Sequence, residues 1–207
     1  ENVNINFLLG SKIAIMGKSG IGKSTLLDIL MGLHVENNCK IKINDITIDQ
    51  DNIHSYYNNL SHMPQNVFIM DETINENISL SNDKKINYKK ILEIGKKLEM
   101  DTFIKNLEDG YNSYIGENGI NISGGQRQRI GLARAMYKDS KIIFFDESTN
   151  SLDNQTENKI INYILDLPKD VTIFFATHKK NFLSKFDFII EIKNKNLKMI
   201  DLKKDKK

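Results

Sequence analysis

The sequence predicts an α/β fold: a parallel sheet flanked by helices, with a small antiparallel β part and an inserted helical subdomain. Three observations carry this prediction. The short, bulky runs Lys12–Met16, Ile142–Phe145 and Val171–Phe175 read as strands covered on both faces, the pattern of parallel sheets. The first runs directly into a glycine-rich loop that opens a helix. Between roughly 66 and 135 such β-branched runs become rare, and the pattern turns helical.

Taken in order, the chain opens with Ile5-Asn6-Phe7, whose alternation places Phe7 in the core. Strand Lys12–Met16 leads into Gly17-Lys18-Ser19-Gly20-Ile21-Gly22-Lys23-Ser24, followed by Thr25, and Leu26, Leu27, Ile29 and Leu30 continue at helical spacing. Cys39–Ile43 and Asp45–Asp49 read as the short strands of the β part. A helix is expected over Tyr88–Met100, with Ile91, Leu92, Ile94 and Leu98 as its apolar stripe, and another over Gly125–Tyr137. Strand and helix then alternate to about residue 192, ending on the apolar run Phe186–Ile192. Neither an internal repeat nor a long linker interrupts this order.

The strand, glycine loop and helix are the context a P-loop needs. Glycines 17, 20 and 22 let the backbone turn with positive φ and bring its N–H groups around phosphate oxygens at a helix start. Lys23 offers a point charge to the β- and γ-phosphates and the Ser24 hydroxyl a ligand for Mg²⁺. Asp146-Glu147 ends the second strand, and carboxylates at the carboxyl ends of parallel strands face the crevice where ligands bind. Asp146 is the expected partner of Mg²⁺, through water, because that ion sheds its waters reluctantly. Glu147 is the candidate to polarise an attacking water.

A second phosphate-binding element, Asn121-Ile122-Ser123-Gly124-Gly125-Gln126, has no strand-to-helix P-loop of its own. With the P-loop and Asp146-Glu147 it makes the chain resemble the ATP-binding cassette of ABC transporters, whose signature is L-S-G-G-Q; Ile122 stands in place of the leucine. The resemblance covers nearly the entire chain. It implies a P-loop NTPase core that binds ATP and Mg²⁺ and hydrolyses ATP. It identifies Gln65, in Met63-Pro64-Gln65, with the family's Q-loop glutamine, which ligates Mg²⁺ and senses the γ-phosphate. His178, in Ala176-Thr177-His178, matches the switch histidine. Asn150-Ser151-Leu152-Asp153 resembles the D-loop, which crosses to a partner subunit; Asn150 and Ser151 depart from its usual S-A-L-D and Asp153 stays. Ser123, Gly124, Gly125 and Gln126, with Asp153, are thus implied contacts to a nucleotide held by a second cassette in a head-to-tail dimer.

Two further stretches bear on the direction of transport. Thr73-Ile74-Asn75-Glu76-Asn77-Ile78 resembles the T-I-x-E-N-I segment of exporter-type cassettes, and Gly116-Glu117-Asn118-Gly119 their V-G-E-x-G element, with Ile115 for the valine. The resemblance therefore implies export, at the cytosolic face of a cell membrane. Only sixteen residues precede Gly17, and the family's adenine-stacking aromatic has no counterpart among them. The expectation is a truncated start, with Glu1 once joined to an upstream membrane domain.

Composition sets the remaining bounds. At 207 residues the chain suffices for one sizeable α/β domain. A net charge of +2, with acids scattered among the lysines, gives no argument for nucleic acid. The single Cys39 excludes a disulfide framework and a cysteine-based zinc site. No apolar run approaches a membrane span and no signal peptide opens the chain, so the isolated domain is expected to be soluble. A nucleotide-gated clamp of the chromosome-maintenance kind shares these motifs but inserts long coiled coils between Q-loop and signature, and no sustained heptads stand there. A binding-only sensor would not need both Glu147 and His178. The transported substrate is not written in this sequence, since membrane helices choose it.

Overall fold

The computed structural model describes residues 4–34, 39–81, 86–116, 122–194 and 196–202. Its strands and helices run β1 (Lys12–Met16), α1 (Lys23–Leu30), β2 (Lys42–Ile43), β3 (Ile46–Thr47), α2 (Ile53–Asn58), β4 (Leu60–Met63), α3 (Ile74–Ser79) and α4 (Tyr88–Lys97). There follow α5 (Asp101–Ile104), α6 (Gly124–Tyr137), β5 (Ile142–Asp146), α7 (Asn154–Leu165), β6 (Thr172–Thr177), β7 (Phe188–Lys193) and β8 (Asn196–Asp201). The chain divides into two compact units. One comprises Glu1–His62, Ser140–Glu147 and Pro168–Lys207, the other Met63–Asp139 and Ser148–Leu167.

The first unit is built on a sheet of order β4-β5-β6-β1-β7-β8. The β5–β6, β6–β1 and β1–β7 pairs are parallel, and β8 returns antiparallel to β7. Because successive side chains of a strand face opposite sides, a sheet covered on both needs apolar residues at every position. Phe144 and Phe145 show this, both fully buried. Phe144 stacks on Phe174 of β6 at 5.0 Å, whereas Phe145 meets Phe175, which also touches Phe182 and Phe186. Phe7 closes the first of these clusters with edge contacts to Phe174 and Phe188, in keeping with its predicted place in the core. The tyrosines of α2 fasten it to α1: Tyr56 donates to Leu30 O at 2.6 Å and Tyr57 to Gly32 O at 3.2 Å. These bonds occupy carbonyls at the end of α1, where helices leave them without partners.

Several predicted boundaries shift. Ile5 to Phe7 pack on the core without entering a strand, because alternation alone turns both side chains inward. The β part is shorter than expected: Asn44 and Asp45 sit at φ 48° and 67°, a tight hairpin turn between two-residue strands, so Asp45 belongs to the turn. Helix α4 stops at Lys97, three residues early, and Leu92 is 55% exposed while Ile91, Ile94 and Leu98 are buried. One step along a helix turns a side chain by about 100°, which takes Leu92 off the stripe of Ile91, Ile94 and Leu98.

The second unit is helical. Helix α6 is buried at Ile130 through Ala133 and at Ala135 and Met136. Its Arg134 guanidinium donates to Asn77 O at 2.8 Å, to Asn77 Oδ1 at 3.2 Å and to Phe68 O at 2.9 Å. Asn77, wholly buried, exchanges bonds of 2.9 and 3.0 Å with the Met70 backbone. Helix α3 opens with a capping box, Thr73 accepting from Glu76 N while the Glu76 carboxylate accepts from Thr73 N. No helix among the described residues is long and apolar enough to cross a membrane.

Candidate functional site

Three adjacent parallel strands, β5, β6 and β1, end together, with Asp146 in register with Ala176 and Met16 with Thr177. Whatever follows each strand is therefore delivered to one edge of the sheet. After β1 comes the P-loop, after β5 Glu147, and after β6 His178. Gly20 and Gly22 adopt φ 75° and 107°, conformations that a side chain would strain, whereas Gly17 lacks the expected positive φ and stays small because a methyl there would stand 2.6 Å from Ile21 Cγ2. Gly22 caps α1, so Lys23 is its first residue.

The Lys23 ammonium, 4% exposed, is held by three oxygens. It donates to Gly17 O and Lys18 O at 3.0 Å each and pairs with Glu147 Oε1 at 2.9 Å. Glu147 leaves β5 through the left-handed region, φ 45°, and its N–H donates to Ala176 O at 3.1 Å. That turn is costly for a residue with a side chain. It brings the carboxylate back toward Lys23 and toward His178, whose Nδ1 lies 3.9 Å from Oε1. His178 is half exposed, Glu147 nearly buried. A cavity of about 380 Å³ adjoins this cluster, lined by Met16, Gly17, Lys18, Ile21, His178 and Glu191 among others. Of the cluster itself, His178 lines this cavity, beside the P-loop residues Gly17, Lys18 and Ile21.

Asp146 is buried, and its Oδ1 makes no hydrogen bond. A buried acceptor without a partner costs free energy unless a cation or water fills the place. Ser24, one residue beyond Lys23, is exposed at the helix start. One carboxylate and one hydroxyl fit Mg²⁺, which keeps several waters and takes its remaining ligands from phosphate. Thr25 is likewise exposed, as are Lys18, Ser19 and Gly20.

The other predicted residues lie in the second unit. Gln65 is exposed in the segment that follows β4. Ser123 is the N-cap of α6, which begins at Gly124, one residue earlier than expected. Its hydroxyl oxygen accepts from Gln126 N at 3.2 Å, and Gln126 Oε1 accepts from Ser123 N at 2.8 Å. This capping box leaves the Ser123 hydroxyl proton directed to other acceptors and commits the Gln126 oxygen to shaping the turn. Asp153 caps α7, accepting from Gln155 N and Thr156 N; the Thr156 bond foremost holds its carboxyl below the ordinary carboxylate range. Asn121 and Glu117 to Gly119 lie outside the described residues.

The structure adds a residue that the sequence reading passed over. Gln128, buried in α6, accepts from Ser151 N at 2.9 Å. Its only sequence signal was a glutamine just ahead of the apolar positions Ile130 and Leu132.

The pattern of the family described as ABC transporter matches residues 1–150. Over 192 residues, 93% of this chain, the sequence is 36% identical to a protein of Colwellia psychrerythraea named ATP-dependent lipid A-core flippase 2. A probable ABC transporter ATP-binding/permease protein of Haemophilus influenzae is 35% identical over 194 residues, 94% of the chain. The chain spans about a third of the length of these relatives, 33% and 35%. Among solved structures it is similar to a bacterial Atm1-family ABC exporter with ATP bound. That match has a TM-score of 0.85 and 28% identity, and covers 95% of this chain and 34% of the other.

Proposed function

Because this chain belongs to the ABC transporter family, as an exporter-type ATP-binding domain, we propose that it hydrolyses ATP at the Lys23–Glu147–His178 cluster and so powers export across a membrane. The single observation carrying this reading is the convergence of those three side chains on the P-loop. Phosphoryl transfer asks little covalent chemistry of a protein; it asks for position and neutralised charge. Lys23 and the P-loop N–H groups hold the β- and γ-phosphates. Glu147, released from Lys23 as the phosphates take over that ammonium, accepts a proton from the attacking water. His178, beside it, donates to the γ-phosphate, with Gln65 contributing from the Q-loop. Ser24 and Asp146 would hold Mg²⁺, with Gln65 as the further ligand that the family resemblance implies, and the ion would supply charge neutralisation at the phosphates.

Ser123, Gly124, Gly125, Gln126 and Asp153 serve the nucleotide of a second copy in a head-to-tail dimer. A fused membrane domain, as the exporter names of the relatives suggest, places the cassette at the cytosolic face. ATP hydrolysis by the full chain, measured by phosphate release with and without Mg²⁺, tests the reading. Metal-dependent turnover that Glu147→Gln abolishes is expected. Equal release by wild type and Glu147→Gln would remove the proposed base.

A further inference from the structure

The segment Thr149–Asp153 is held from three sides within the second unit. Thr149 Oγ1 donates to the buried Glu157 Oε1 at 2.6 Å, and Asp153 caps α7, so both ends are fixed to that helix. The middle is fixed to α6 instead. Gln128 Oε1 accepts the Ser151 amide at 2.9 Å, and Gln128 is only 6% exposed. A methyl group at Gly125 would come within 3.1 Å of Ser151 O and 3.6 Å of Leu152 Cδ2. One at Gly124 would stand 3.5 Å from Ser151 Cβ and Oγ. The first turn of α6, which carries Ser123, thus lies directly against Ser151 and Leu152.

We infer that Gln128 is a positioning residue for the ATPase reaction: its amide oxygen locks the Thr149–Asp153 segment to the Ser123 turn, so that the two meet the nucleotide of the second copy as one body. This rests on the head-to-tail reading above. Gln128 Oε1 supplies the acceptor for the part-buried Ser151 N–H. Gly125 gives the close approach, and Gln128 gives the registry. Ground-state ATP binding by the P-loop does not involve this lock, whereas turnover requires both elements in place at once.

Gln128→Met keeps length and helix preference but loses the oxygen; Gln128→Glu keeps an oxygen facing Ser151. Displacements of about 1 Å in catalytic geometry cost on the order of 10²-fold in rate. In the full chain, Gln128→Met is therefore expected to lower kcat roughly 10- to 100-fold with KM for ATP within about twofold of wild type. Gln128→Glu should restore kcat to within about threefold. Hydrogen exchange read at the Ser151 amide should accelerate in the Met variant alone, with the β6 amides unchanged, which separates a lost lock from a misfolded chain. Equal kcat for Gln128→Met and wild type, equal losses for Met and Glu, or unchanged Ser151 protection in the Met variant would overturn the inference. Ser123→Arg assayed in parallel keeps the two ideas apart: wild-type turnover there sinks the head-to-tail reading, and wild-type turnover in Gln128→Met sinks only the lock.

Discussion

The Lys23–Glu147 pair joins two nearly buried charges, one of them the proposed phosphate ligand and the other the proposed base. Removing one partner of such a pair strands the other, a loss of roughly 3 to 5 kcal/mol where burial is complete. Lys23→Ala is accordingly expected to lower stability in denaturant by about 3 kcal/mol as well as to weaken ATP binding, and Lys23→Ala/Glu147→Gln to recover most of the stability but none of the affinity. A double variant no more stable than Lys23→Ala would mean that the pair is not what holds this corner. Glu147→Gln alone should bind ATP and lose turnover about 10²- to 10⁴-fold, because an amide keeps the shape and cannot take a proton. Both residues were legible in the sequence, Lys23 because it closes a glycine loop that runs from a strand into a helix, and Glu147 because it follows an apolar strand, at whose end parallel sheets present side chains to ligands. Their mutual contact was not, because it depends on the left-handed turn at Glu147, which no local signal encodes.

At the scale of elements, the large β-branched and aromatic strands were readable because their period and burial leave one interpretation. Short elements were less so. The strands β2 and β3 were read, but longer than they are, and the helix α2 was not read, because so few residues give periodicity little with which to separate strand or helix from turn. Gly131 is instructive: within a helix pattern it looks like a weak point costing about 1 kcal/mol against alanine. In the structure a methyl there would stand 2.5 Å from Val67 Cγ2 and 3.3 Å from Met63 Cε, so the glycine marks close packing onto α6. Overpacking costs about 1 to 3 kcal/mol, so Gly131→Ala should be a net loss of about 1 kcal/mol after its gain in helix preference. Adding Val67→Ala should relieve the clash, and Tm of the single and double variants checks it. A pH effect belongs to the caps. Thr73, through its side chain first and its N–H second, holds the Glu76 carboxyl below its ordinary value of 4.5. Stability from this cap is present above pH 4.5 and is lost as pH falls through the lowered value. Glu76→Gln removes the titration, so its stability should vary less with pH below 5 than that of the wild type, as acid titration of the helical signal would report.

For the whole molecule, the residues proposed to serve the nucleotide are divided between two compact units: the P-loop, Asp146, Glu147 and His178 in one, Gln65, the Ser123 turn and Asp153 in the other. If, as proposed, the Ser123 turn serves a second copy, then the dimer and not the monomer is the catalytic species. Ser123→Arg should leave ATP binding by the monomer nearly intact while abolishing ATP-driven dimerisation and turnover, because a long cation cannot fit where a hydroxyl and glycine backbone approach a γ-phosphate. Glu147→Gln, which retains ATP, should instead accumulate as dimer in light scattering. Mixing Ser123→Arg with Lys23→Ala then distinguishes the two possible geometries. If the turn acts across the interface, a mixed dimer has one site carrying both defects and one with an intact P-loop facing an intact Ser123, so activity returns. If the turn acts on its own chain, every site carries a defect and the mixture stays inactive. Strict coupling of the two sites would also silence the mixture, so cross-linking supplies the control: cysteines at Ser123 and at Ser19 of the P-loop should join different chains in the ATP-bound state. A dimer seen by scattering that forms no such bond would exclude the head-to-tail arrangement.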